Sequence, residues 1–280
     1  MCRMTAVISA APRSHAVLLS ENPRCLLAQA DAVAGRFQDD GWGIAFYGGR
    51  GEASVIKSPE PARSRKQAFA RAARKAVSRV VVAHLRAASN PAGLPQKKLI
   101  GMANTQPFSG RGLVFAHNGT LYIKDEIKSL LGGYAARVKG INDSEVLFWQ
   151  VVKMLDAYGS PEKALEMALD EIYTVWVSCK DRYPGREGPC RGLNMFLASR
   201  DSLSVLCHYP KKRGKGALLT PGWEFGRLAW RHEGGRVVFS SEPADEAAGW
   251  KKMNDMQVAR AVVAGGKISL TFSAVKRNPL

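Results

Sequence analysis

Cys2, Arg86, Ser89, Asn118, Gly119 and Asp143 are the residues of this chain whose types could carry out covalent chemistry together. The sequence opens MCRMTAVIS, and the small Cys2 side chain permits removal of Met1, which leaves a cysteine with a free α-amine beside its thiol. Such an amine, with an ordinary pKa of about 7.7 to 8.0, is partly neutral at pH 7 and can take the thiol proton, directly or through one water. Attack on an amide then builds negative charge on the carbonyl oxygen, where one well-aimed donor contributes about 3 to 4 kcal/mol. Asn118 offers a side-chain amide for that role and Gly119 a backbone N–H. An amino-acid substrate also carries a carboxylate, which Arg86 can bind bidentately, and an ammonium, which suits Asp143. Ser89, three residues after Arg86, adds a hydroxyl.

Each of these residues begins or ends an expected element, where a scaffold presents functional side chains. Met4–Ser9 and Gly41–Tyr47 read as strands, the second followed by the turn Gly48-Gly49 and a strand over Ala53–Lys57. Ser64–Val77 reads as a helix with Ser64 as its N-cap. Arg79–Arg86 and Leu113–His117 are β-branched strands, and Asn118-Gly119 reads as the turn that ends the second. Asp143–Tyr158 switches to a helical period, with Asp143 as its simplest N-cap, and Ser160-Pro161 starts another helix through Ile172. Strands return over Leu193–Ser199, Leu203–Tyr209, Arg227–Arg231 and Arg236–Ser240, with a closing hairpin at Gly265-Gly266. No long Pro/Ser/Gly linker divides the chain, so residues 1–280 are expected to form one α+β domain of layered antiparallel strands with helices outside.

With 46% hydrophobic residues, the 280-residue chain can bury a substantial core. No stretch reaches the roughly 18 apolar residues that cross a bilayer. Pro12, Arg13 and His15 interrupt the apolar start before a secretory core develops, and a cytoplasmic location is expected. The five cysteines show neither zinc-site pairs nor a disulfide framework, and Cys25 and Cys207 read as buried small hydrophobes. A net charge of +17, from 41 Lys and Arg against 24 Asp and Glu, implies attraction to anions. Its densest stretches are Ala62–Lys75, which reads as a solvated helix face, and Lys211–Lys215, which reads as a loop. Neither interleaves aromatics with cations as a single-strand binding platform would.

The motifs MCRMTAV, HLRAAS (His84–Ser89), AHNGT (Ala116–Thr120) and NDSE (Asn142–Glu145) together resemble the class II glutamine amidotransferase family, in its order. DDGWGIAFY (Asp39–Tyr47), NTQPF (Asn104–Phe108) and SSEP (Ser240–Pro243) are similar to its standalone members, among them the γ-glutamyl amidohydrolase of ergothioneine biosynthesis. The resemblance implies the four-layer αββα fold of the N-terminal nucleophile hydrolases. It also implies Cys2 as the nucleophile that forms a thioester, Asn118 and Gly119 as the oxyanion site, and Arg86, Ser89 and Asp143 as substrate holders, with no metal or organic cofactor. Gln106 stands where relatives often have His, and Asn142 where they often have Thr. His84 and His117 are expected to support the neighbouring loops. The substrate would be glutamine or another γ-glutamyl compound, cleaved to release ammonia or an amine, and the protein would either pass ammonia to a separate synthase subunit or simply hydrolyse the γ-glutamyl bond. The competing reading is a non-catalytic scaffold that binds nucleic acid or an acidic partner through its basic surface, with a steep salt dependence as its signature. Cys179–Arg191 reads as an ordinary surface loop ahead of a lid or a partner surface.

Overall fold

The computed structural model describes residues 2–49, 51–209 and 216–275. Met1 and the basic stretch Lys211–Lys215 lie outside the described residues. In chain order the elements are strand β1 (Arg3–Arg13), β2 (Trp42–Tyr47), β3 (Ala53–Ser58), helix α1 (Lys66–Lys75), β4 (Ser78–Leu85) and the short helix α2 (Gln96–Leu99). They continue with β5 (Phe108–Gly110), β6 (Leu113–Leu121), α3 (Lys124–Ser129), α4 (Asp143–Tyr158), α5 (Pro161–Cys179), β7 (Cys190–Ala198) and β8 (Ser202–Cys207). β9 (Ala229–Glu233), β10 (Arg236–Ser240), β11 (Lys251–Lys252), β12 (Gln257–Ala264) and β13 (Lys267–Ala274) complete the fold.

Two antiparallel sheets stack face to face. One has the order β11-β9-β10-β1-β4-β2-β3, the other β13-β12-β8-β7-β6-β5. The period of two along β1 sends Met4, Ala6 and Ile8 between the sheets, where they meet Val114, Ala116, Phe196 and Val205 of the second sheet. On the outer face of the first sheet, Phe69, Ala72 and Ala73 of α1 pack over Trp42, Ile44, Val81 and Leu85. On the outer face of the second, α4 and α5 cover Phe115, Leu121, Met195 and Leu206. The result is the expected four-layer αββα sandwich.

β1 lies in the middle of its sheet, pairing β4 on one side (Arg3↔Leu85, Met4↔His84) and β10 on the other (Thr5↔Ser240). Cys2 therefore enters on a strand held along both edges. The basic stretch over α1 is the solvated helix face expected, with Phe69 fully buried and Arg63, Arg65, Lys66 and Arg74 paired to Asp39, Glu60, Asp31 and Glu21.

Several local expectations are corrected. Asn118-Gly119 is not a turn: β6 runs on through both, with Asn118 opposite Asn194 and Gly119 opposite Leu193, and the register shifts only between Gly119 and Leu121. The glycine is needed for close approach, since a Cβ at position 119 would lie 1.9 Å from the Gly192 carbonyl oxygen. Ser64 does not cap α1; it ends a single 3-10 turn, and its hydroxyl donates to the Pro61 carbonyl at 3.0 Å. Asn142, not Asp143, caps α4, its side chain accepting from the Glu145 N–H at 2.9 Å. α5 runs on past Ile172 to Cys179.

Candidate active site

A cavity of about 270 Å³ opens where β1 begins and β4 and β6 end, near the start of α4, and Cys2, Arg86, Ser89, Gly119 and Asp143 all line it. Asn118 is fully buried just behind its wall. Alternation along β6 puts Asn118 on the face of Val114 and Ala116, in the same inter-sheet layer that β1 supplies with Met4 and Ala6. Among the described residues, neither the nitrogen nor the oxygen of its side-chain amide has a hydrogen-bond partner. Buried polar groups nearly always have one, which sets this amide apart.

Cys2 is 8% exposed, and its Sγ lies 3.4 Å from the Ala87 N–H and 3.5 Å from the Ala87 carbonyl oxygen. Burial pushes the thiol pKa up; the Arg86 guanidinium pulls it down and the Asp143 carboxylate adds to the rise. The resting sulfur is a protonated thiol, and attack requires a base at the moment of reaction.

The loop after β4 that carries Arg86 and Ser89 is fixed by Asp40. The Asp40 carboxylate accepts from the Ala88 N–H at 2.7 Å, and its backbone N–H donates to the Arg86 carbonyl at 3.0 Å. Arg86 Nη1 donates to the Leu99 carbonyl at 2.9 Å and to the Asp40 carbonyl at 3.3 Å, which pins the buried guanidinium from one edge. A fork fixed on one edge has its remaining donors set for a planar carboxylate.

The four residues of the Asn142–Glu145 motif have four different tasks. Asn142 caps the helix. Asp143 Oδ2 accepts from the Leu121 N–H at 2.7 Å, where the strand shifts register. The Ser144 hydroxyl meets His117 Nδ1 at 3.0 Å and receives Gln106 Nε2 at 3.2 Å. Glu145 Oε2 accepts from the Lys139 and Gly140 N–H groups at 3.0 and 2.6 Å, gathering the loop before the helix.

Gln106 also clamps β6 at His117, accepting from its N–H at 2.6 Å and donating to its carbonyl at 3.1 Å, as a neighbouring strand would. His84 Nε2 donates to the same carbonyl at 3.3 Å. Burial, reinforced by Arg86, pushes the His84 pKa down to about 3, and burial lowers that of His117 against the pull of Asp143. Both imidazoles are neutral at pH 7 and brace the loops as expected; neither bonds Cys2.

Behind Cys2, Arg3 and Glu242 form an ion pair at 3.2 Å in which both side chains are fully buried. Glu242 also receives the N–H groups of Leu218, Leu219 and Thr220 at 2.9 to 3.0 Å, while Arg3 Nε reaches Gln29 at 3.0 Å. The Ser241 hydroxyl accepts from the Met4 N–H at 3.0 Å. Residues 240–243 thus hold β1 from beneath.

Residues 1–183 match the sequence model of the class-II glutamine amidotransferases. The chain belongs to that family. Its chemistry is accordingly amide cleavage. Among its relatives, the γ-glutamyl-hercynylcysteine sulfoxide hydrolase of Mycolicibacterium smegmatis is 27% identical over 259 residues, 91% of this chain and 93% of that protein. The putative glutamine amidotransferase YafJ of Escherichia coli is 36% identical over 124 residues, 42% of this chain and 44% of that one. The structure of a class-II domain protein from Silicibacter pomeroyi covers 98% of this chain at 17% identity with a TM-score of 0.60. The glutamine PRPP amidotransferase of B. subtilis covers 99% of this amidotransferase chain with half of its own length, at 13% identity and a TM-score of 0.64. At those identities the likeness shows the fold.

Sequence reading missed the outer wall of the cavity. Tyr122, Tyr183 and Arg186 line it, and Arg186 stacks over the Tyr122 ring at 4.2 Å. The stretch Cys179–Arg191, expected to be a plain surface loop, therefore walls the cavity, and its Tyr-Pro-Gly-Arg run was the available signal. Among the described residues, no group of three or more His, Cys, Asp or Glu is gathered as a metal site, and no helix is long and apolar enough to cross a membrane.

Proposed function

We propose that the protein hydrolyses the side-chain amide of glutamine or of another γ-glutamyl compound through a thioester on Cys2, acting in the cytoplasm as one 280-residue domain. One observation carries the reading: the Cys2 thiol lines a cavity with Arg86 and Asp143, beside a buried Asn118 amide that has no partner among the described residues. Met1 removal frees the Cys2 amine as the base. The amine takes the Sγ proton, the sulfur attacks the carbonyl carbon, and the oxyanion is received by the Asn118 amide and the Gly119 N–H. The C–N bond breaks as the same proton passes to the leaving nitrogen, and water then cleaves the thioester to release glutamate. Arg86 and Ser89 hold the α-carboxylate, and Asp143 the α-ammonium.

The near-complete overlap with a γ-glutamyl hydrolase supports release of an amine directly to water, and no second subunit is then needed. The decisive experiment uses protein from its native host, with the intact mass showing Met1 absent. Cys2→Ala is expected to retain the fold by circular dichroism and to lose turnover of glutamine and γ-glutamyl peptides. Appreciable residual turnover in that variant would refute the nucleophile. A kcat/KM far higher for a γ-glutamyl amide than for glutamine favours the hydrolase, and a partner protein whose amination depends on this one favours ammonia delivery.

A further inference from the structure

A second cysteine outside the cavity has partners that no role described so far uses. Cys190 opens β7 and is partly exposed, whereas Cys25, Cys179 and Cys207 are buried. Its Sγ lies 3.8 Å from His208 Nε2, within hydrogen-bond range for sulfur. His208 Nδ1 lies 3.0 Å from Asp255 Oδ1, which also accepts from the Tyr209 N–H at 3.1 Å and so is fixed in place. The Tyr173 hydroxyl stands 3.0 Å from His208 Nε2 and 4.0 Å from Cys190 Sγ. His208 thus has the carboxylate on Nδ1, and on Nε2 the Tyr173 hydroxyl with the Cys190 sulfur farther out.

We propose that Cys190, His208 and Asp255 form a thiol–imidazole–carboxylate array, and that Cys190 is a site of oxidation by hydroperoxides. Four elements supply the groups around it: β7 the sulfur, the segment after β8 the imidazole, the turn before β12 the carboxylate, and α5 the Tyr173 hydroxyl. Burial opposes a charged His208, but the hydrogen bonds to Asp255 and Cys190 outweigh it and raise its pKa to about 9. An imidazolium beside a thiol favours the thiolate, the form that reacts. The thiolate attacks one peroxide oxygen; the S–O bond forms as the O–O bond breaks, sulfur loses two electrons to the peroxide, and the departing oxygen takes its proton from His208. The product is a sulfenate at Cys190 and an alcohol or water.

The location gives that modification a consequence. Cys190 pairs with Leu121 across the sheet, and the carbonyl of the preceding Pro189 accepts from the Tyr122 N–H at 2.8 Å. Leu121 and Tyr122 both line the cavity. Oxygen added at Cys190 would press on the strand end that forms the cavity wall.

The test is alkylation of the full-length protein by iodoacetamide, followed cysteine by cysteine by peptide mass mapping from pH 6 to 9. For wild type, the Cys190 rate is expected to vary less than about threefold over that range, whereas His208→Gln should restore a rise of roughly tenfold per pH unit up to an ordinary midpoint near 8.5. Hydrogen peroxide with a sulfenate-trapping dione should tag Cys190 in wild type and about tenfold less in His208→Gln. A wild-type Cys190 rate that climbs tenfold per pH unit overturns the proposal, whatever becomes of the variant, and so does the absence of any trapped sulfenate at Cys190.

Discussion

Asn118 and Glu242 are both completely buried polar residues, one beside the nucleophile and one beneath its strand, yet they are treated in opposite ways. Glu242 receives four donors, from Arg3, Leu218, Leu219 and Thr220. The Asn118 amide has no partner among the described residues. A saturated carboxylate adds rigidity to the fold, whereas an unsatisfied buried amide costs stability, which the proposed mechanism would recover when the amide meets the developing oxyanion. The division follows the chain: the cavity groups come almost wholly from the first 186 residues, and the brace from residues 216–242 acting on Arg3 and Met4.

Substitutions on the two sides should therefore separate stability from rate. The largest effect is expected for Glu242→Ala, which leaves the Arg3 charge buried without its counterion and should cost about 3 to 5 kcal/mol in denaturant unfolding. A loss below 1 kcal/mol would mean the pair is not a brace. Asn118→Ala should do the reverse: kcat falls about 10² to 10³-fold while the melting temperature stays level or rises. A variant that loses stability but keeps its rate would erase the distinction.

Acid should next test a buried imidazole that belongs to neither side. His15, at the far end of β1 near Arg236, has its pKa pushed down to about 4 by burial, then by Arg236. The unfolded chain takes up that proton first, so the stabilisation is fully present above the ordinary value near 6.5 and is lost as pH falls from there toward 4. At about 1.4 kcal/mol per pKa unit, the loss is about 3 kcal/mol from this group. Unfolding of His15→Gln across that window should show a correspondingly weaker pH dependence. Gly119→Ala should blur the two sides, since its new methyl would lie 1.9 Å from the Gly192 carbonyl oxygen, a backbone clash costing more than the usual ~1 to 3 kcal/mol of overpacking. Its thermal melt and its kcat should fall together, because that glycine packs closely against β7 and is also the proposed backbone donor to the oxyanion.

What could be read from the sequence, and what could not, follows from range. Cys2, Arg86, Ser89, Gly119 and Asp143 were legible because each motif keeps reactive types a few residues apart at an element's end, and the structure gathers all five around one cavity. Asn118-Gly119 misled as a turn because local propensity was outweighed by β7, whose Gly192 carbonyl leaves no room for a side chain at position 119. Asp143 looked like a cap because Asn142, one residue earlier, has equal capping chemistry; the carboxylate was free to hold Leu121 instead. The Arg3–Glu242 brace spans 239 residues, and no local pattern links its ends. Tyr183 and Arg186 were hidden for the same reason: a loop's composition does not say what it leans on.

The position of Cys2 on a mid-sheet strand bears on how the protein should be produced. The strand is hemmed in by β4 and β10 and Cys2 lines the cavity, so an affinity tag or fusion partner placed ahead of Cys2 would deny it the free α-amine that the proposed mechanism uses. Purification handles belong after β13, at the outer edge of the opposite sheet.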